Sequence, residues 1–118
     1  MLSVALRENV PVIDLNSTTK TFFETLGYED SKRALVHYPA NTYPNQDKPL
    51  ADNTHFNPYG AYEVAKLVVM GMKQLGLPLV EHLRPEWKDF DPSQPDDFNG
   101  FVWFNSPDNA DVTKPDGN

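Results

Sequence analysis

Two residue types that exchange protons stand three positions apart in this chain. They are Asp52 and His55, within the stretch Ala51-Asp52-Asn53-Thr54-His55-Phe56-Asn57-Pro58-Tyr59-Gly60-Ala61. A neutral imidazole accepts a proton near physiological pH. It serves as a general base once its tautomer is fixed, and a carboxylate on Nδ1–H fixes it. The spacing lets Asp52 and His55 make that contact within one turn of backbone. Two other readings stay open. Asp52, His55 and His37 could share a metal ion, but no nearby Cys, Glu-x-x-His or His-x-His pattern strengthens that reading. Alternatively, Asp52 forms an Asx-turn on a surface loop and His55 merely packs.

The elements around the pair are legible. Asn57 is a helix cap, and Pro58 suits the first helical position, where its missing N–H costs nothing. Apolar residues then recur at helical spacing: Ala61, Val64, Ala65, Val68, Met72 and Leu75. Gly76 and Pro78 stop the run. Asp52 and His55 are therefore expected on a tight loop feeding a buried helix, which is a rigid mounting.

Asp52-Asn53-Thr54-His55-Phe56, followed by Gly60-Ala61 and an amphipathic helix, resembles the last motif block of the SGNH/GDSL hydrolases. Within them it is most similar to the rhamnogalacturonan acetylesterase-like carbohydrate esterases. The resemblance also takes in Val10-Pro11-Val12-Ile13-Asp14-Leu15 and His37-Tyr38-Pro39-Ala40-Asn41-Thr42, so it runs from residue 2 to about residue 83. It implies an α/β fold, the C-terminal part of a three-layer α/β/α (flavodoxin-like) architecture. In it Val10–Leu15 would be the last core strand. It also implies serine-type removal of acetyl groups from a polysaccharide, pectic rhamnogalacturonan first. Asp52 and His55 would be the acid and base of a Ser-His-Asp triad. No metal or organic cofactor is implied, and the localisation would be secreted or periplasmic.

One departure is large. The family's nucleophile sits in a Gly-Asp-Ser block, and its other oxyanion donors in two middle blocks. Ser3, Ser17, Ser31, Ser93 and Ser106 are the serines here, and none has a Gly-Asp-Ser context. The expectation is thus a C-terminal portion, inactive alone. It would either be joined to the missing N-terminal part of the same enzyme or associate with itself. The reading from another class is a non-catalytic fragment or interaction module that retains the Asp-His loop.

Length and composition agree with one small domain: 118 residues, 39% of them hydrophobic, without cysteine. A net charge of −7 argues against nucleic acid and anionic membranes as partners. No run approaches a membrane span, and none reads as a signal peptide.

Along the chain, residues 2–8 read as the end of a helix that begins abruptly, with Asn9 as its terminus. Val10–Leu15 is nearly continuous in apolar residues, as a strand covered on both faces would be. Asn16 or Ser17 caps a helix over Thr18–Leu26, which Gly27 ends and in which Phe22, Phe23 and Leu26 face inward. Residues 29–36 form a helical turn. From His37 to Leu50 the chain reads as loop, with Pro39, Pro44 and Pro49 in it. Such a length is uncommon unless functional, and it leads straight into Asp52. His37, Tyr38, Asn41 and Tyr43 are therefore the candidate sugar contacts. The domain-like part is drawn as 1–83. Residues 84–118 form a Pro- and Asp-rich tail whose Trp87, Phe90, Phe98, Phe101, Trp103 and Phe104 would anchor it over a body. Phe101–Phe104 is the expected edge strand, and the last ten residues are expected to be flexible.

Overall fold

The computed structural model describes residues 2–103. Over these residues the chain is mixed α/β, with three helices and one two-stranded antiparallel sheet. Helix α1 (Leu2–Glu8) ends where Asn9 takes a left-handed φ of 52°. The Val10 amide then donates back to the Ala5 carbonyl at 2.9 Å, closing the helix end. Helix α2 (Leu15–Ser31) is capped by Asp14, whose carboxylate accepts the Ser17 amide at 3.1 Å. The cap thus falls before both Asn16 and Ser17. Gly27 breaks α2 internally with φ 72° and ψ 178°, a conformation that a Cβ would strain.

Residues 32–34 make a tight 3₁₀ turn into β1 (Leu35–Tyr38), which pairs antiparallel with β2 (Leu50–Phe56). Helix α3 (Pro58–Gln74) follows directly. Asn57 caps it, its side-chain oxygen accepting the Gly60 amide at 2.9 Å.

Three sequence-based expectations are corrected. Val10–Leu15 is not a strand. Residues 10–14 run as irregular chain and Leu15 already opens α2. A continuous apolar run becomes a central strand only where neighbours take its N–H and C=O groups. Here Val10 is 56% exposed, and the one sheet among the described residues is built elsewhere.

The second correction concerns 37–50. His37 and Tyr38 belong to β1 and Leu50 to β2, so the proline-rich stretch is the connection of a hairpin. The third concerns α3. Its buried face is Tyr59, Gly60, Glu63, Lys66, Leu67, Gly71 and Met72, whereas Ala61, Ala65 and Leu75 are exposed. Glu63 and Lys66 go inward as an ion pair, 2.7 Å apart, and Lys66 also reaches Asp96 at 2.8 Å. Of the expected stripe, Met72 alone is buried, with Val64 and Val68 half-buried.

The core is small. Phe22, Ala34, Tyr59 and Leu67 form its buried centre, and Phe23, Leu26, Phe90, Phe98 and Phe101 pack against it. Gly60 lets α3 approach the 3₁₀ turn: a Cβ there would lie 2.0 Å from the Ala34 carbonyl oxygen. Residues 86–98 lie across α3, where the Tyr59 hydroxyl donates to the Asp96 carbonyl at 2.8 Å and Lys66 sits over the Phe90 ring. Phe101–Trp103 are irregular rather than strand, and Phe104 and the last ten residues lie outside the described part.

Candidate active site

The register of the hairpin makes the site. Leu35 pairs with Phe56, but the next residue, Val36, pairs with Asp52. Asn53, Thr54 and His55 are therefore looped out of the ladder, an enlarged bulge in β2. Both ends of this excursion are held. Asp52 stays in the ladder, and the Phe56 ring stacks on Phe23 at 6.3 Å between centroids. Asn57 is buried, and its side-chain amide donates to the Arg33 carbonyl at 2.6 Å and to the Leu35 carbonyl at 3.2 Å. The Asn57 backbone amide donates to the Ala34 carbonyl at 3.2 Å. One residue thus caps α3 and fastens the bulge to the turn before β1.

Inside the bulge Asp52 uses both oxygens. Oδ1 accepts the Thr54 amide at 2.6 Å and the His55 amide at 3.0 Å. Oδ2 lies 2.7 Å from Nδ1 of the His55 ring. The backbone donors of His55 and Thr54, and then the His55 ring, hold the Asp52 carboxyl down at about 2, against an ordinary 3.8. Asp52 is therefore an acceptor throughout the physiological range. An acceptor on that side places the ring proton on Nδ1 and leaves Nε2 as the basic nitrogen. Nε2 has no hydrogen-bond partner among the described residues, and the His55 side chain is 75% exposed.

The other candidates fall into two places. His37 reaches across the hairpin to Asn53, its Nε2 lying 2.8 Å from Oδ1. Tyr38, the last residue of β1, meets Tyr43 of the connection edge to face at 5.1 Å. Burial, and then the hydrogen bond with Tyr43, push the Tyr38 hydroxyl up to about 12. Asn41 sits at a left-handed φ of 62°, its amide donating to the Gln46 carbonyl at 2.7 Å. The structure therefore brings Asp52 and His55 together, and ties His37 to their loop. It keeps Tyr38, Asn41 and Tyr43 as a separate group, at the end of β1 and in the connection.

Gln46 organises that connection and was not legible beforehand. Its side-chain amide donates to the Pro39 and Lys48 carbonyls at 2.8 and 2.7 Å, and its side-chain oxygen accepts the Tyr43 amide at 3.1 Å. A glutamine in a polar loop carries no pattern that marks it as the organiser. Asn57 had a visible signal as a cap, but its bonds to Arg33 and Leu35 bridge segments far apart in sequence.

Among the described residues no group of three His, Cys, Asp or Glu is placed to hold a metal ion, and His37 is bonded to Asn53. The Ser31 hydroxyl bonds to the Gly27 carbonyl and that of Ser93 to the Asp91 carboxylate. A cavity of about 240 Å³ lies elsewhere, bordered by Leu26, Arg33, Tyr59, Asp96 and Phe98, and neither Asp52 nor His55 lines it. The pair stands on an open surface.

No protein-family model matches the chain, and no solved structure matches it. Two curated proteins of Bacillus subtilis (strain 168) are similar to it. Rhamnogalacturonan acetylesterase RhgT is 49% identical over 83 residues, which is 70% of this chain and 36% of that protein. The probable rhamnogalacturonan acetylesterase YesY is 40% identical over 86 residues, 73% of this chain and 36% of that protein. The chain thus spans about a third of the length of the curated relatives it matches. Over that part of its sequence, the chain is related to the SGNH/GDSL-type esterases through the rhamnogalacturonan acetylesterases.

Proposed function

We propose that this chain supplies the acid and base of a serine-type carbohydrate esterase that removes acetyl groups from a polysaccharide. Rhamnogalacturonan is the first candidate, in keeping with the names of the relatives. The observation that carries the reading is the Asp52–His55 contact at 2.7 Å, with the opposite ring nitrogen exposed and unbonded among the described residues. In this reading His55 Nε2 takes the proton of a serine hydroxyl as the oxygen attacks the acetyl carbonyl. It then returns the proton to the departing sugar oxygen. Asp52 holds the ring and stabilises the imidazolium. The serine and the oxyanion donors come from outside these 118 residues, from the remainder of a longer polypeptide or from a partner chain. The described part would then be one flank of a three-layer α/β/α fold. The connection bearing Asn41 and Tyr43, with His37 and Tyr38 at its edge, would be the wall that meets the sugar.

The test is acetate release from acetylated rhamnogalacturonan and from an aryl acetate, by an enzyme that contains this segment. His55→Ala should abolish nearly all turnover. Asp52→Asn should lower kcat by up to about 10⁴-fold with KM little changed. An Asp52→Asn enzyme with kcat within about threefold of the parent would overturn the triad assignment. The second reading, a non-catalytic interaction module, draws on the absence of a Gly-Asp-Ser context at every serine. It predicts no turnover from any assembly that contains the chain.

A further inference from the structure

The bulge that carries His55 is anchored on one flank by Asp52 and at its exit by Phe56 and Asn57. Asn53, the first looped-out residue, has one side-chain contact among the described residues, from across the hairpin: His37 Nε2 to Asn53 Oδ1 at 2.8 Å. With a carbonyl oxygen on one side, the imidazole must donate, so the proton sits on Nε2 of His37. The imidazolium and the Nε2–H neutral tautomer both carry that proton, so the bond survives a change in the charge of His37.

The reach follows from the register. His37 pairs with Ala51, which makes Asn53 its diagonal neighbour two residues along β2, within span of a long side chain. The backbone of His37 is fixed in the ladder, whereas Asn53 is looped out and exposed. The contact therefore joins the paired strand to the looped-out side of the pair.

We infer that His37 is a positioning residue. Through Asn53 it pins the looped-out segment, so that the Thr54 and His55 amides stay on Asp52 and the His55 ring keeps one orientation. The catalytic consequence rests on the triad reading, but the pinning does not.

The test uses an enzyme that contains this segment and reads the bulge directly. Amide exchange of Thr54 and His55, and the Nδ1 proton of His55, are followed by NMR in the parent, His37→Ala, Asn53→Ala and His37→Gln proteins. Both alanine variants should speed Thr54 and His55 amide exchange by about 2- to 10-fold, the effect of one net hydrogen bond. The Nδ1 proton of His55 should exchange faster with them. The Leu35–Phe56 pair should be unaffected. His37→Gln, whose terminal amide can donate to Asn53 from a similar distance, should restore protection. Unchanged exchange in both alanine variants overturns the inference, as does a Gln variant no better than Ala. Failure of the triad reading shows separately, as esterase activity indifferent to His55→Ala. In an active assembly His37→Ala should lower kcat and leave KM unchanged, whereas a sugar contact at His37 would raise KM instead.

Discussion

Asp52 performs two tasks with one carboxylate, and their pH dependence follows from that. It terminates the backbone of the bulge and orients the ring of His55. Its folded value of about 2 lies below the ordinary 3.8, so the proton binds the unfolded loop more readily than the folded one. The sign is therefore that of a depressed acid. Order in the bulge is fully present above about pH 4 and is lost as pH falls through about 2. A titration of the Thr54 and His55 amide shifts should show an acid transition near the lower value. A midpoint near 4 would mean that the carboxylate is not holding those amides. Asp52→Asn should remove the transition, because the amide carries no titrating proton. The neutral side chain would also no longer compel a proton on Nδ1.

At the scale of elements, the junction of β2 and α3 rests on Asn57. It caps the helix and takes the Arg33 and Leu35 carbonyls while buried. Asn57→Ala removes a cap and leaves buried polar groups without partners. It should cost about 2–4 kcal/mol in urea unfolding of an enzyme that contains this segment. A loss under about 0.5 kcal/mol would show that water replaces the side chain there. Gly60→Ala is the companion test of the same junction. Its methyl would meet backbone at 2.0 Å, which only a shift of α3 relieves. That variant should lose about 1–3 kcal/mol and move the amide signals of His55 and Phe56. A Gly60→Ala protein as stable as the parent, with those signals unmoved, would refute the close approach. By contrast Gly76→Ala, where a Cβ meets nothing within 4 Å, should act only through its positive φ.

At the scale of the molecule, several large apolar side chains face solvent. Leu2, Leu6 and Val10 are 63%, 85% and 56% exposed, and the apolar side of α3 is only half covered. Each Å² left in water forgoes about 25 cal/mol. The isolated chain should therefore self-associate or unfold without a sharp transition, and light scattering with urea unfolding reads both. A cooperative monomer would refute this expectation. The tail segment makes a separate prediction. Phe90, Phe98 and Phe101 pack on the core, and Asp96 is bonded by Tyr59 and Lys66. Proteolysis between Trp87 and Phe101 should thus be slow in the parent. It should accelerate in Lys66→Ala, which leaves Glu63 buried without its cation.

Local chemistry was readable from the chain alone. The Asn57-Pro58 start of α3, the break at Gly27 and the end of α1 at Asn9 depend on side chains acting within a few residues. The Asp52–His55 contact is of the same kind, since three residues of backbone suffice to close it. What lay beyond reach was everything decided by a partner distant in sequence. Val10–Leu15 has a strand's composition, yet a strand exists only where another takes its hydrogen bonds. His37–Tyr38 read as loop because their strand partners, Ala51 and Leu50, stand past a run of prolines. The apolar stripe of α3 named a face, but burial went to Glu63 and Lys66, which pair as ions and meet Asp96 from the tail. Spacing determines which groups can touch within a turn. Only the tertiary structure decides which faces are covered, because covering a face requires a second surface.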